Sequence, residues 1–365
     1  MSAQELRKHY PALDGIRGLA ILLVVFFHNF GFLKYFGFGW LGVDLFFVLS
    51  GYLITDILIR TVGNKYYLRN FYLKRILRIF PLYYLVVSIT IFILPQFRGL
   101  WDNLQFYVEN QWWVWFYLQN WLYVFKEPEQ TNFLLHFWSL AVEEQYYLLW
   151  PWVILLLRKP SRLITTTVLI LFGVIITRII LWINQVEGLE YFGLYTFTRV
   201  DGLCIGSLLA LIMYIDRDWL RKYTAFIVSI VAGLNFLFYF LNRASDFSFP
   251  FFPFIGYTTF AIVFAVLVYE AVQGKTKLIN LIFINPILSF FGKISYGFYV
   301  FHWPVYVALN SWFRNLLYSR LDLQSSIVEL LVSILATVLG LVISIFSYYF
   351  FERRFLKLKS HFNQG

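Results

Sequence analysis

Charge is what this 365-residue chain has least of: Asp, Glu, Lys and Arg together make up 14% of it. A soluble domain carries about 25%, because most of its surface must be solvated. A chain of this length cannot clothe itself in water with so few charged groups. That excludes an ordinary soluble enzyme, and the scarcity of polar sequence excludes a disordered chain. Cysteine is nearly absent too. Cys204 stands alone, so there is no disulfide framework and no thiolate cluster for a metal. No low-complexity linker and no clear internal repeat interrupts the sequence.

What fills the chain is apolar: 60% is hydrophobic, 22% is aromatic, and the mean hydropathy is +0.67. These figures describe an all-α, polytopic membrane protein. Runs of roughly the 17–25 residues needed to cross a bilayer fall at 13–33, 39–62, 77–95, 136–157, 162–185, 196–214, 222–241, 253–272, 286–310 and 326–350. The expectation is of about ten transmembrane helices in a single membrane domain over 1–365, with no appended soluble domain. The first run follows Arg7 and Lys8 as a signal peptide would. It carries Arg17 and His28 and lacks a small-residue cleavage site, so it reads as a retained helix.

The net charge of +10 would suggest nucleic acid in a soluble chain. In a membrane protein it reads first as topology, because basic residues collect on the cytoplasmic side. With ten spans both termini are cytoplasmic, and most lysines and arginines fall inside, while Arg98 and Lys126 are among the few facing out. The tryptophan-rich stretch 111–125 decides this count. Were it to span, the Arg158-Lys159-Pro160-Ser161-Arg162 loop would move outside, so it is expected to be one interfacial or re-entrant helix.

Ionisable groups at membrane depth usually face a cavity or a partner. Counting about 1.5 Å per residue, His28, Arg178 and His302 reach the outer third of the membrane, as do Asp44, Glu143, Glu144, Arg199 and Asp201 from other runs. Glu143 and Glu144 are about 100° apart on a helix and do not share one role. One is expected in the cavity and the other against an arginine such as Arg178 or Arg199. Asp44 and Asp201 read equally well as arginine partners or as site residues. His136 reads as interfacial, and His302, just before Pro304, is divided between core packing and the cavity. Near the inner surface, Arg75 and Arg78 share a helical face. Arg17 and His28, eleven residues apart, point the same way, about 16 Å apart along one helix. A cationic inner mouth leading to a His/carboxylate centre suits an elongated anionic donor. No metal has an evident ligand set.

The segment LDGIRGLA (13–20), followed by His28, resembles the opening motif of the acyltransferase-3 family of membrane O-acyltransferases. GVDLFFVLSGYLI (42–54), FYLKRILRIFPLYY (71–84), HFWSLAVEEQYYLLWP (136–151), TRVDGLCIGSLLA (198–210) and ISYGFYVFHWPV (294–305) follow in the family's order. The resemblance implies transfer of an acyl group, usually acetyl, from cytoplasmic acyl-CoA to a hydroxyl of a glycan, glycolipid or exported polysaccharide. It implies a catalytic role for His28 and for the block holding Glu143 and Glu144. It implies donor binding by Arg17, Arg75 and Arg78. Asp14, Asp44, Arg178, Arg199, Asp201 and His302 are further cavity candidates. The implied setting is a bacterial inner membrane, and transfer is completed alone or with a separate extracytoplasmic partner. The competing reading is a secondary transporter or flippase that uses the buried charges for substrate or protons.

Overall fold

The structure is a computed structural model describing residues 10–97, 101–126, 133–184, 193–244, 252–321 and 325–362. Arg7, Lys8 and Arg98, on which the predicted topology partly leans, lie outside them. Every regular element among the described residues is helical, as lipid demands of a chain that must satisfy its own backbone. In chain order the helices are α1 (Pro11–Phe30), α2 (Leu41–Thr61), α3 (Tyr67–Ser88), α4 (Trp101–Glu109), α5 (Gln111–Trp115), α6 (Gln119–Phe125), α7 (Trp138–Leu157) and α8 (Pro160–Ile183). They continue as α9 (Thr196–Arg199), α10 (Asp201–Ile215), α11 (Trp219–Ala244), α12 (Tyr257–Gln273), α13 (Lys277–Phe283), α14 (Pro286–Leu321), α15 (Ser325–Phe346) and α16 (Arg353–Leu358).

Among the described residues seven helices are long and apolar enough to cross a membrane, and α13 with the first part of α14, taken together as one broken span, makes an eighth. Two expected runs differ. The run 136–157 becomes α7, whose polar Glu143, Glu144 and Gln145 dilute it. The run 196–214 becomes α9 and α10, and the 15 residues of α10 extend about 22 Å, short of a hydrocarbon core of about 30 Å. The stretch 111–125 is helical but is not the single helix expected. It breaks into α5 and α6 at Tyr117, whose φ is +56°. That left-handed conformation is uncommon for a tyrosine. Its buried ring stacks on Tyr83, centroids 4.0 Å apart, which holds it there. At five and seven residues neither piece can cross.

The chain falls into two compact units. The first holds the described residues up to Ile16, Val43–Asn64 and Val142–Asn285. Its centre is α10, buried without a break from Asp201 to Ser207. A side chain at Gly51 would stand 2.0 Å from the Leu203 carbonyl oxygen, and one at Gly206 would stand 2.1 Å from that of Val48. Helices α2 and α10 therefore pack backbone against backbone, which only small residues permit. A polar seam runs beside this contact. Trp150 Nε1 donates to Thr55 Oγ1 (2.8 Å), Thr55 donates to Ser207 Oγ (2.7 Å), and the Tyr146 hydroxyl meets Ser207 at 2.6 Å.

The second unit holds Arg17–Gly42, Lys65–Ala141 and Pro286–Gly365. Helices α14 and α15 lie together along their lengths. The Tyr296 hydroxyl donates to the Ile79 carbonyl (2.7 Å), and Asn29 Nδ2 donates to Thr337 Oγ1 (2.8 Å). These bonds tie α14 to α3 and α1 to α15.

Candidate active site

Three histidines meet in the second unit. His28 comes from the last turn of α1, His302 from α14, and His136 from the single turn Leu135–Phe137 ahead of α7. His28 Nδ1 lies 2.8 Å from His302 Nε2, with the rings nearly parallel. The His136 ring centroid is 5.2 Å from that of His302 and 6.5 Å from that of His28. His302 is fully buried, whereas His28 keeps part of its surface open.

The hydrogen bonds fix where the protons sit. His302 Nδ1 is 2.7 Å from the Tyr299 carbonyl and 3.1 Å from that of Phe298. A carbonyl only accepts, so Nδ1 carries the hydrogen and Nε2 of the neutral ring is bare. Nε2 then accepts from His28 Nδ1–H, which leaves the lone pair of His28 on its Nε2. A chain of backbone carbonyl, His302 and His28 thus presents one imidazole lone pair with its tautomer set. The residue that meets His28 Nδ1 is thus an imidazole, that of His302.

Pro304 explains part of this arrangement. It has no amide hydrogen, so the Val300 carbonyl loses its helical partner, and His136 Nε2 lies 3.4 Å from that oxygen. His136 is 2% exposed, and its Nδ1 is buried with no hydrogen-bond partner. Its own carbonyl accepts from the Tyr299 hydroxyl, which also meets Ser139 Oγ at 2.6 Å. Sequence reasoning placed His136 at an interface. Its neighbours come from a carbonyl that a proline 168 positions away sets free, and no local signal marks that. Among the described residues no group of three or more His, Cys, Asp or Glu could hold a metal ion. Here His28 Nδ1 and His302 Nε2 face each other and share a proton instead of facing a common point.

The basic residues of the same unit also gather. Lys74, Arg75 and Arg78 lie on one side of α3, with the Arg75 guanidinium 5.8 Å from the Phe71 ring centroid. These three and Arg17 of α1 all lie within electrostatic reach of the single ammonium of Lys359. Arg17, Arg75 and Arg78 are therefore all brought near one ammonium, and Arg17 lies about three turns along α1 from His28.

The first unit holds the other candidates. Arg178 Nη2 pairs with Asp201 Oδ2 at 2.8 Å and also donates to the Thr198 carbonyl. Thr258 Oγ1 donates to the same carboxylate oxygen at 2.7 Å. Arg199 Nη2 pairs with Asp44 Oδ1 at 2.6 Å, its guanidinium carbon 3.8 Å from the Tyr257 ring centroid. All four charged side chains are buried. Asp44 and Asp201 are thus partners of arginines. Glu143, half-buried, accepts from Ser50 Oγ at 2.9 Å, with Glu144 half-buried beside it, and Asp14 lies in the first turn of α1.

A family model described as an acyltransferase domain, that of acyltransferase-3, matches residues 10–349. The chain belongs to this family. Among curated relatives of this acyltransferase-3 protein, it is similar to the peptidoglycan O-acetyltransferase OatA of Listeria monocytogenes, with 30% identity over 82% of this chain and 50% of the relative. It is 32% identical to the putative peptidoglycan O-acetyltransferase YrhL of Bacillus subtilis, over 82% of this chain and 49% of the relative. A putative O-acetyltransferase of Staphylococcus aureus is 30% identical over 84% and 52%. The chain spans about half the length of the curated relatives it matches. No solved structure matches it. Family and helices together make it a multi-pass integral membrane protein.

Proposed function

We propose that the protein, in a bacterial inner membrane, transfers an acetyl group from cytoplasmic acetyl-CoA to a hydroxyl of a cell-envelope glycan. Peptidoglycan is the first candidate acceptor, because OatA and YrhL carry that substrate in their names. The observation that carries the mechanism is the 2.8 Å contact between His28 Nδ1 and His302 Nε2, from which a lone pair on His28 Nε2 follows.

Neutral imidazole is a suitable general base near pH 7. As the acceptor oxygen attacks the thioester carbonyl, His28 Nε2 takes its proton. The tetrahedral intermediate then collapses, the carbon–sulfur bond breaks, and the departing thiolate leaves as CoA thiol with that proton. While His28 is charged, its Nδ1–H bond to His302 strengthens, as charge-assisted bonds do. The same lone pair could attack the thioester directly, releasing CoA thiol and leaving an acyl-imidazole for the hydroxyl to open. Arg17, Arg75 and Arg78 hold the CoA phosphates, which guanidinium pairs bind well. The about 16 Å between Arg17 and His28 along α1 suits an extended pantetheine arm. Glu143 and Glu144 are carboxylates fit to accept hydrogen bonds from sugar hydroxyls. Cytoplasmic ends, as the distribution of basic residues predicts, would turn the arginines toward the donor pool.

The test is thermal unfolding of the purified full chain with and without CoA, beside mass spectrometry of cell-wall glycans from cells with and without the protein. CoA is expected to raise the melting temperature of wild type, and much less that of the Arg75→Ala/Arg78→Ala double variant. The glycans are expected to gain one acetyl group per modified sugar. Failure of CoA to stabilise wild type refutes the donor, and unchanged glycans refute the acceptor.

A further inference from the structure

Four basic residues, Arg353, Arg354, Lys357 and Lys359, follow the last apolar run and at first sight only fix topology. The continuous stretch Ser326–Phe362 is 37 residues long, about 55 Å of helix against a hydrocarbon core of about 30 Å. Its end lies beyond the core.

The fold fixes that end against a particular surface. A π-helical turn, Ser347–Glu352, packs on α3 and α14, and both α16 and the following Lys359–Phe362 pack on α3. Glu352 is the anchor. It is 8% exposed and accepts from Ser347 Oγ at 3.0 Å. It is seated on Gly297 of α14, where a Cβ would stand 2.7 Å from its Oε1, and Arg78 acts on it electrostatically. So fixed, the four basic residues end in different settings. Lys357 is exposed, whereas Lys359 is half-buried in the turn that packs on α3, with Arg78, Arg75, Arg17 and Lys74 within electrostatic reach. Like charges gathered where water is partly excluded repel one another. A polyanion seated among them reverses the sign of that interaction.

We propose that Lys359 is a ligand for the phosphate groups of the acyl donor, delivered to the arginines of α3 by the anchored turn at Glu352. The inference rests on the reading of the protein as an acyl-CoA-dependent transferase. It adds to the arginines a mobile point charge able to follow a phosphate as the donor enters and leaves. An anionic lipid headgroup offers the same phosphate chemistry and is the rival occupant.

Isothermal titration of CoA into the full chain in neutral detergent tests this. Lys359→Ala is expected to raise the Kd for CoA about tenfold, equivalent to one good ionic hydrogen bond. Lys359→Arg, which keeps the charge, is expected to stay close to wild type, and so is Lys357→Ala, which removes the same charge one half-turn away. Lys359→Gln, which keeps the stem's packing, gives the same reading if the alanine variant does not fold. Wild type that binds CoA, with Lys359→Ala no weaker than Lys357→Ala, overturns the inference and leaves the transferase reading standing. Wild type that does not bind CoA overturns both. Repeating the titration in phosphatidylcholine nanodiscs with and without phosphatidylglycerol separates the two sources. A Lys359→Ala effect confined to discs holding the anionic lipid assigns the residue to a headgroup and overturns the donor assignment.

Discussion

Replacing His302 by phenylalanine isolates what the second histidine does. Phenylalanine fills most of the buried space but gives His28 Nδ1–H nothing to donate to. The lost bond is 2.8 Å long, and a buried donor left unsatisfied costs about 1–3 kcal/mol. If that cost falls on the orientation and tautomer of His28, the acetyl-transfer kcat drops roughly 5- to 150-fold, at 1.36 kcal/mol per factor of ten. His28→Ala removes the base itself and is expected to cost about 10²–10⁴ in kcat. Because His302 acts only through His28, the double variant should be no slower than His28→Ala alone. The assay is single-turnover transfer of radiolabelled acetyl from acetyl-CoA to a water-soluble glycan fragment. CoA binding serves as the control for folding and should not change in any of the three variants. Losses that multiply in the double variant would show His302 acting independently of His28, and full activity in His28→Ala would remove the base from the mechanism.

The ion pairs of the first unit give a stability prediction. Arg178→Ala strands Asp201 in a buried site and is expected to cost about 3–5 kcal/mol, seen as a large drop in melting temperature. Replacing both partners with apolar residues, Arg178→Met with Asp201→Leu, should recover much of that loss, because no charge is then left buried without its partner. A single variant that melts like wild type would contradict the pairing. Glycine substitutions should differ by what their methyl group meets. Gly51→Ala drives a Cβ to 2.0 Å from a backbone oxygen and is expected to destabilise by at least about 1–3 kcal/mol. At Gly297→Ala the one close approach is to the end of the Glu352 side chain, the Ser344 carbonyl oxygen standing at an ordinary 3.6 Å, so it should fold and weaken CoA binding instead. Equal melting temperatures for the two variants would refute the distinction.

Much of this protein is legible in one dimension. An all-helical membrane architecture follows from composition and run length, because a lipid-exposed chain has few other ways to satisfy its backbone. Seven of the expected runs appear as long apolar helices, with an eighth as the broken span. Where the reading and the structure differ, the cause is packing. The run at 196–214 can be short because α10 is wrapped by protein, and the stretch 111–125 breaks because Tyr117 stacks on Tyr83.

The same division runs through the site. The sequence alone set Arg17 and His28 on one face of one helix and Arg75 with Arg78 on another, since helical spacing fixes those directions. It could not say what would meet them. That His28 finds His302, that Asp44 and Asp201 go to Arg199 and Arg178, and that His136 enters the histidine cluster are matters of partners 23 to 274 residues apart. Nor could it show that Lys359 comes to the arginines, which depends on a turn anchored against Gly297. Periodicity orients a side chain relative to its own helix. Only tertiary packing decides which neighbour lies in front of it, and here that neighbour sets where the reactive lone pair sits.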